Sequence, residues 1–332
     1  FNAAGNNGSL HIEKIDLQAD QSRFAGQGDI SFEGAKKFEL QGNLFQFDPS
    51  LWSKLPAGRI DTELKLSGTL TPKTVLQAQL NQLNGEWNGH RLMGLAKFAW
   101  VEDQSLSIDQ AELSWGKNSL TAAGALGKAG DELRWQTRAH DLQLFSVFLG
   151  IPIAGKLEAE GKFSGGFDAL SMQTDAKLEN ASIRQWRLGS SELHLRSEPG
   201  RQGAVQLDLQ AKDLYSASID LNASSPDGQI VEKKQSWAEE LRFQVNGQRQ
   251  NHQFQLQTRF DRSHKTELRG EGDLDLSSWR DATWKGRFAQ FKLVGFAGNG
   301  SRQEINDLQL DAPMGVVLSR ERIALDGGRF SG

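Results

Sequence analysis

The stretch Val205-Gln206-Leu207-Asp208-Leu209-Gln210 alternates apolar and polar side chains without a break. Successive residues of a β-strand point to opposite sides of the sheet, so this segment has one greasy face and one wet face. A helix would turn Leu207 roughly 200° away from Val205 and give no such face. Working outward, the same phase recurs at Leu64, Leu66 and Leu70, at Ile219 and Leu221, at Leu241, Phe243 and Val245, and at Phe254, Leu256 and Phe260. The pattern predicts an all-β chain.

Turn signals separate these runs about every ten residues, as in antiparallel hairpins. The sharpest are Asn7-Gly8, Asn84-Gly85, Asn88-Gly89, Asp227-Gly228, Asn246-Gly247 and Asp326-Gly327. Dividing the length by that spacing predicts roughly 25 to 30 strands. Two short helical interruptions are expected. Asp48 can cap a turn that starts at Pro49 and runs from Ser50 to Leu55 before Pro56. Leu142 to Leu149 is too densely apolar for a half-exposed strand and reads as a plug or connector.

Composition narrows the function classes. The 332 residues carry 38 basic and 42 acidic side chains, a net charge of -4 with no basic field for nucleic acid. Cysteine is absent, which excludes disulfide scaffolds, thiol catalysis and thiolate metal sites. The longest apolar run, Leu144 to Ala154, is interrupted by Ser146, Gly150 and Pro152 and falls far short of the roughly 20 residues of a membrane-spanning helix. The chain begins at Phe1 without a signal-peptide pattern, so it reads as one continuous segment, 1–332, of a longer polypeptide.

A glycine two residues before an apolar strand residue recurs at Gly28-Asp29-Ile30, Gly68-Thr69-Leu70, Gly124-Ala125-Leu126 and Gly272-Asp273-Leu274, at intervals too irregular for a solenoid. With 35 glycines, only 7 prolines and no linker, hairpins of similar design added in series predict a single extended sheet. Its apolar face can be covered by a second sheet, by closure into a barrel, or by folding the sheet lengthwise around a groove. Periodicity alone does not choose among the three.

The stretch SRFAGQGDISFEGAKKFELQGNLFQFDPSLWSKLPAGRIDTELKLSGTLTP (Ser22 to Pro72) is similar to the TamB-like family of Gram-negative bacteria, in the order GNL, FDPSLW, PAGRIDTELKLSGTL. Asn118 to Trp135 and Ile153 to Leu170 also resemble that family, and AsmA-like proteins share much of the pattern. The resemblance implies a periplasmic β-taco, a long bent sheet with a hydrophobic groove, anchored in the inner membrane through a segment outside this sequence. It also implies phospholipid movement between the membranes and outer-membrane protein and autotransporter assembly with a TamA-like barrel partner, reached through other parts of the full-length chain.

A two-chain lipid exposes about thirty methylenes, each costing ~0.8 kcal/mol in water, or roughly 25 kcal/mol in all. A conduit must replace that contact continuously with weak, interchangeable ones. The expected lining residues are Ile30, Phe32, Leu64, Leu66, Leu76, Leu80, Leu106, Ile108, Leu207, Leu209, Leu241, Phe243, Val245, Phe254, Leu256, Leu274 and Leu276. The competing reading is a structural or carbohydrate-binding β-sandwich module in which the same residues fill sealed cores.

Enzyme signatures are missing, and neither catalytic residues nor a cofactor is expected. His11, His90, His140, His194, His252 and His264 are scattered without metal-ligand spacing. No G-x-S-x-G elbow occurs. Asp273 and Asp275 begin like a calcium loop, but Ser278 and Trp284 stand where the glycine and closing glutamate are needed. Gly26-x-Gly28 and Gly298-x-Gly300 lack the rest of a phosphate cradle. Trp100, Trp115, Trp135, Trp186 and Trp279 sit in or beside alternating runs and fit packing better than sugar stacking.

Overall fold

A computed structural model describes residues 2–219, 232–260, 264–275, 283–296, 304–319 and 321–332. Its twenty strands belong to one antiparallel sheet that is not closed. The chain divides into two compact units, residues 1–150 with 158–170 and residues 151–157 with 171–332. Unit 1 contains β1 (Asn2–Gly5), β2 (Ser9–Ala19), β3 (Ser22–Ser31), β4 (Lys37–Phe47) and β5 (Gly58–Thr69). It continues with β6 (Val75–Trp87), β7 (His90–Val101), β8 (Ser105–Trp115), β9 (Asn118–Leu126) and β10 (Glu132–Ala139). The division falls within β11 (Ile153–Ser164). Unit 2 contains β12 (Ser171–Ile183), β13 (Trp186–Ser197), β14 (Ala204–Ile219), β15 (Glu232–Gln248) and β16 (Asn251–Arg259). Its last strands are β17 (His264–Asp275), β18 (Thr283–Phe296), β19 (Glu304–Ser319) and β20 (Ile323–Ser331).

Twenty strands, not 25 to 30, account for the described residues, because several expected turns lie inside strands. Asn7-Gly8 and Asn88-Gly89 do connect hairpins, and the second pair has the positive φ values (50° and 74°) of a tight two-residue turn. Asn84-Gly85 is internal to β6 and Asp326-Gly327 to β20. Asn246-Gly247 ends β15, with the turn at Arg249 and Gln250. Asp227-Gly228 lies outside the described residues.

Residue Gln82 explains the break that resembled a turn. Its φ is 51°, and the pairing of β6 with β7 shifts between Leu80 and Leu83. This bulge inserts an extra residue, so the apolar phase passes from Leu76, Ala78 and Leu80 to Leu83 and Trp87 while staying on one side of the sheet.

Both expected helical interruptions are present and short. Asp48 accepts a hydrogen bond from the Ser50 N–H at 2.9 Å and caps a single 3-10 turn, Pro49–Leu51. A second 3-10 turn, Leu142–Phe145, runs into the one-turn helix α1 (Ser146–Leu149), which ends at Gly150 with φ 65°. No helix among the described residues is long and apolar enough to cross a membrane.

Within each unit, strands pair in sequence order, β1 to β10 and β12 to β20, so each is a meander rather than a pair of facing sheets. Its burial is correspondingly thin. Among the described residues no large side chain is fully buried. The main cluster of buried side chains joins Ile60, Leu92, Trp115 and Leu144, flanked by Phe47, Leu83, Trp87 and Phe145.

Candidate functional site

Directly paired residues of antiparallel strands project to the same side, so the register converts alternation into rows that cross the sheet. In unit 1 one row reads Leu10, Ile30, Phe38, Gly68, Leu76, Trp100, Leu106, Leu126 from β2 to β9. The next reads Gly28, Leu40, Leu66, Ala78, Phe98, Ile108, Gly124, Leu133 from β3 to β10. A third runs Gly26, Gly42, Leu64, Leu80, Ala96, Ala111, Ala122, Trp135. Neither polar nor charged side chains interrupt them.

Unit 2 repeats the arrangement. Leu195, Leu207, Val245, Phe254, Gly270, Phe288 and Met314 form one row across β13 to β19. Beside it lie Ala176, Leu193, Leu209, Phe243, Leu256, Leu268 and Phe291. Leu241 belongs to a third row with Ala211, Thr258, Thr266 and Leu293, and Leu274 pairs with Trp284. Ring contacts knit the surface together, with Phe254 5.6 Å from Trp284 and 5.9 Å from Phe288.

Among the expected lining residues, Ile30, Leu64, Leu66, Leu76, Leu80, Leu106 and Ile108 occupy the three rows of unit 1. Leu207, Leu209, Leu241, Phe243, Val245, Phe254 and Leu256 occupy those of unit 2, and Leu274 lies outside them opposite Trp284. Phe254 is buried and the other fourteen are half-buried, neither sealed nor fully wet. Phe32 lies just past the end of β3 and is 52% exposed, outside the rows. Leu276 lies outside the described residues. Row partners such as Phe38, Leu40, Phe98, Leu193 and Phe291 were not singled out from sequence. Their alternation was visible there, but membership of a row requires the strand register.

Two aromatic rings lie flat over glycine pairs on this surface. A Cβ on Gly26 or Gly42 would come within 2.9 or 2.8 Å of the Phe24 ring, and one on Gly272 or Gly286 within 2.5 Å of the Trp284 indole. The paired glycines leave a hole that the ring fills, so the surface stays smooth where a side chain would otherwise stand up. The Trp284 N–H donates to His252 Nε2 at 2.8 Å, and His252 Nδ1 lies 3.1 Å from the Arg249 carbonyl. A carbonyl only accepts, so the imidazole is neutral with its proton on Nδ1. His252 is thus buried without offering a free ligand nitrogen.

The reverse side is wet. Gln206, Asn246, Gln253, Glu271 and Arg287 form one of its rows, and Asp208, Gln244, Gln255, Arg269 and Gln290 another. Cross-strand ion pairs hold it, including Arg287 with Glu271 at 2.7 Å and Arg242 with Asp208 at 3.0 Å. Partial burial pushes the Asp208 carboxyl upward, but hydrogen bonds from Arg242, Gln244 and Gln210 outweigh it and leave the pKa below the usual value. Lys162 and Arg134 likewise lower Glu132. A hollow of about 610 Å³ on this side is walled by Gln210, Arg242, Gln257, Arg259 and Glu267. Leu241, Thr258, Thr266 and Val294 also line it, so its walls mix charged, polar and apolar groups.

The tryptophans differ in burial and in their partners. Trp115 is buried at 5% exposure in the main cluster, Trp100 and Trp135 belong to the apolar rows, and Trp186 is 40% exposed against Trp237. Trp279, Ser278 and Gly298-x-Gly300 lie outside the described residues.

No curated protein and no solved structure matches the chain. A family model, described as TamB, N-terminal domain, matches residues 1–315, and the chain belongs to the TamB family.

Proposed function

We propose that this chain is a non-enzymatic periplasmic conduit whose apolar rows contact phospholipid acyl chains moving between the inner and outer membranes. The observation that carries the reading is the continuity of those rows from strand to strand within each unit, with their side chains half-buried rather than sealed. Such a surface offers a lipid replacement contacts worth about 25 cal/mol per Å² at every step, without one tight pocket that would trap it. Family membership supports the same direction. In this reading the full-length protein is anchored in the inner membrane and supports outer-membrane protein and autotransporter assembly. It engages a TamA-like barrel through parts outside this sequence.

The sealed-sandwich reading finds little support in either unit, because each is a sequential meander with thin burial. Native mass spectrometry of the purified chain tests the proposal. Co-purified phospholipid, lost when a row residue is made charged, is the expected result. A chain that never carries lipid, purified from cells or incubated with vesicles, would overturn it.

A further inference from the structure

The segment between β10 and β11 does more than connect them. It turns back over the ends of β5 to β8, where Leu144, 7% exposed, packs on Ile60, Leu92 and Trp115. Phe148 sits 5.2 Å from Trp87 and 5.7 Å from Trp115, and Phe145 5.7 Å from Trp115. These partners continue the apolar side of unit 1, since Leu92 and Trp115 lie on the same strand phase as Phe98 and Leu113. The segment therefore lies on the surface that carries the rows.

It is held at both ends, with the Pro152 carbonyl just past its exit accepting from the Arg184 N–H at 3.3 Å. At the start, the Asn118 side chain donates to the Asp141 carbonyl at 2.8 Å and accepts from the Asp141 N–H at 2.9 Å, while Asp141 caps the Gln143 N–H at 3.1 Å. At the far end, Gly150 adopts φ 65° and Pro152 follows two residues later, a sharp exit that no helix continues through. Between these ends Val147, Phe148 and Leu149 are 50%, 40% and 57% exposed. A two-turn segment with apolar side chains on the sheet side and on the open side is built to be covered on both.

We propose that residues 142–149 form a lid, held between the Asn118–Asp141 clamp and the Gly150–Pro152 exit and seated by Leu144, which an acyl chain entering the apolar surface of unit 1 displaces. The inference rests on the conduit reading above and adds a gate to it. Closed, the lid supplies the apolar contact that the margin of the sheet otherwise lacks. Displaced, it leaves Ile60, Leu92 and Trp115 to the lipid and lays Val147 and Leu149 against it.

The absence of native cysteine allows a clean test. Val147 is exposed and adjoins Phe148, whose ring lies against Trp87 and Trp115, so in Val147→Cys carrying a bimane these tryptophans should quench the fluorophore while the lid is seated. Vesicles of dioleoyl phosphatidylethanolamine and dioleoyl phosphatidylglycerol should raise the fluorescence about twofold or more, the shift of a two-state equilibrium by a ligand that favours one state. Adding Leu144→Ser should raise it before any lipid is present. Should that second variant fail to fold, the lipid response of the first still decides. A photo-crosslinker at Leu66 in the same vesicles separates the two claims. Unchanged fluorescence with lipid captured at Leu66 makes the segment a fixed seal and overturns the lid alone. Unchanged fluorescence with nothing captured overturns the lid and counts against the conduit as well.

Discussion

Leu209 stands directly opposite Phe243 across β14 and β15, and the residues one step back, Asp208 and Gln244, meet on the reverse side through a 2.7 Å hydrogen bond. A single step along the backbone thus separates hydrocarbon contact from a charged network. The step recurs at each regular pairing of these strands, and it makes the two sides separately testable.

Photo-crosslinkers read the sides directly. Placed at Leu207 or Leu256, a crosslinker should capture phospholipid in cells, whereas at neighbouring Gln206 or Gln255 it should not. Equal capture on both sides, or on neither, would remove the assignment of the apolar rows.

Charge placement gives a functional version of the same comparison. Phe243→Arg puts a guanidinium between Leu209 and Leu256 and should abolish lipid transport, with circular dichroism still showing β content. Gln244→Arg adds the same charge to the wet side and should leave transport within about twofold of wild type, as surface substitutions generally do. Transport assays in cells lacking the native protein measure both, and full transport by the Phe243 variant would contradict conduction.

Two glycines in adjoining stretches of sheet should respond differently to one methyl group. A Cβ on Gly286 would meet the Trp284 ring at 2.5 Å and the Glu271 carbonyl at 2.4 Å, whereas on Gly315 its nearest neighbour is 3.4 Å away. Gly286→Ala should therefore cost about 1–3 kcal/mol through displacement of the ring. Gly315→Ala should change stability by no more than about 0.5 kcal/mol. Urea unfolding followed by tryptophan fluorescence compares them, and equal losses would show that the flat ring is not constrained by the glycine.

On the wet side, His11 Nδ1 lies 2.6 Å from Asp29 Oδ1. The hydrogen bond with Asp29, then its charge, raise the histidine pKa above the ordinary 6.5. A raised pKa means the folded chain holds this proton more tightly than the unfolded one. The associated stabilisation is complete below pH 6.5 and disappears as pH rises through the folded value. Proton NMR should show His11 titrating above 6.5, with Asp29→Asn bringing it back down. A His11 titration that ignores the substitution would dissociate the pair.

The sequence was most informative where alternation is unbroken. Val205 to Gln210 could be assigned to a strand, and its greasy side chains named, from six letters. Asn84-Gly85 misled, because a residue with positive φ at Gln82 resets the phase inside β6 and leaves a pattern like that of a turn. The hydrogen bond between Trp284 and His252 joins residues 32 positions apart, so no local pattern contains it.

From the sequence alone came the class of the chain, the face on which each regular strand is apolar, and the resemblance that names its family. Side-chain direction along a strand has a period of two residues and needs no neighbour to define it. Which apolar residues line up from strand to strand, where bulges keep them in phase, and where the segment 142–149 comes to rest were decided by tertiary structure. Those outcomes follow from hydrogen-bond register and from contacts between distant residues, which the order of the letters does not contain.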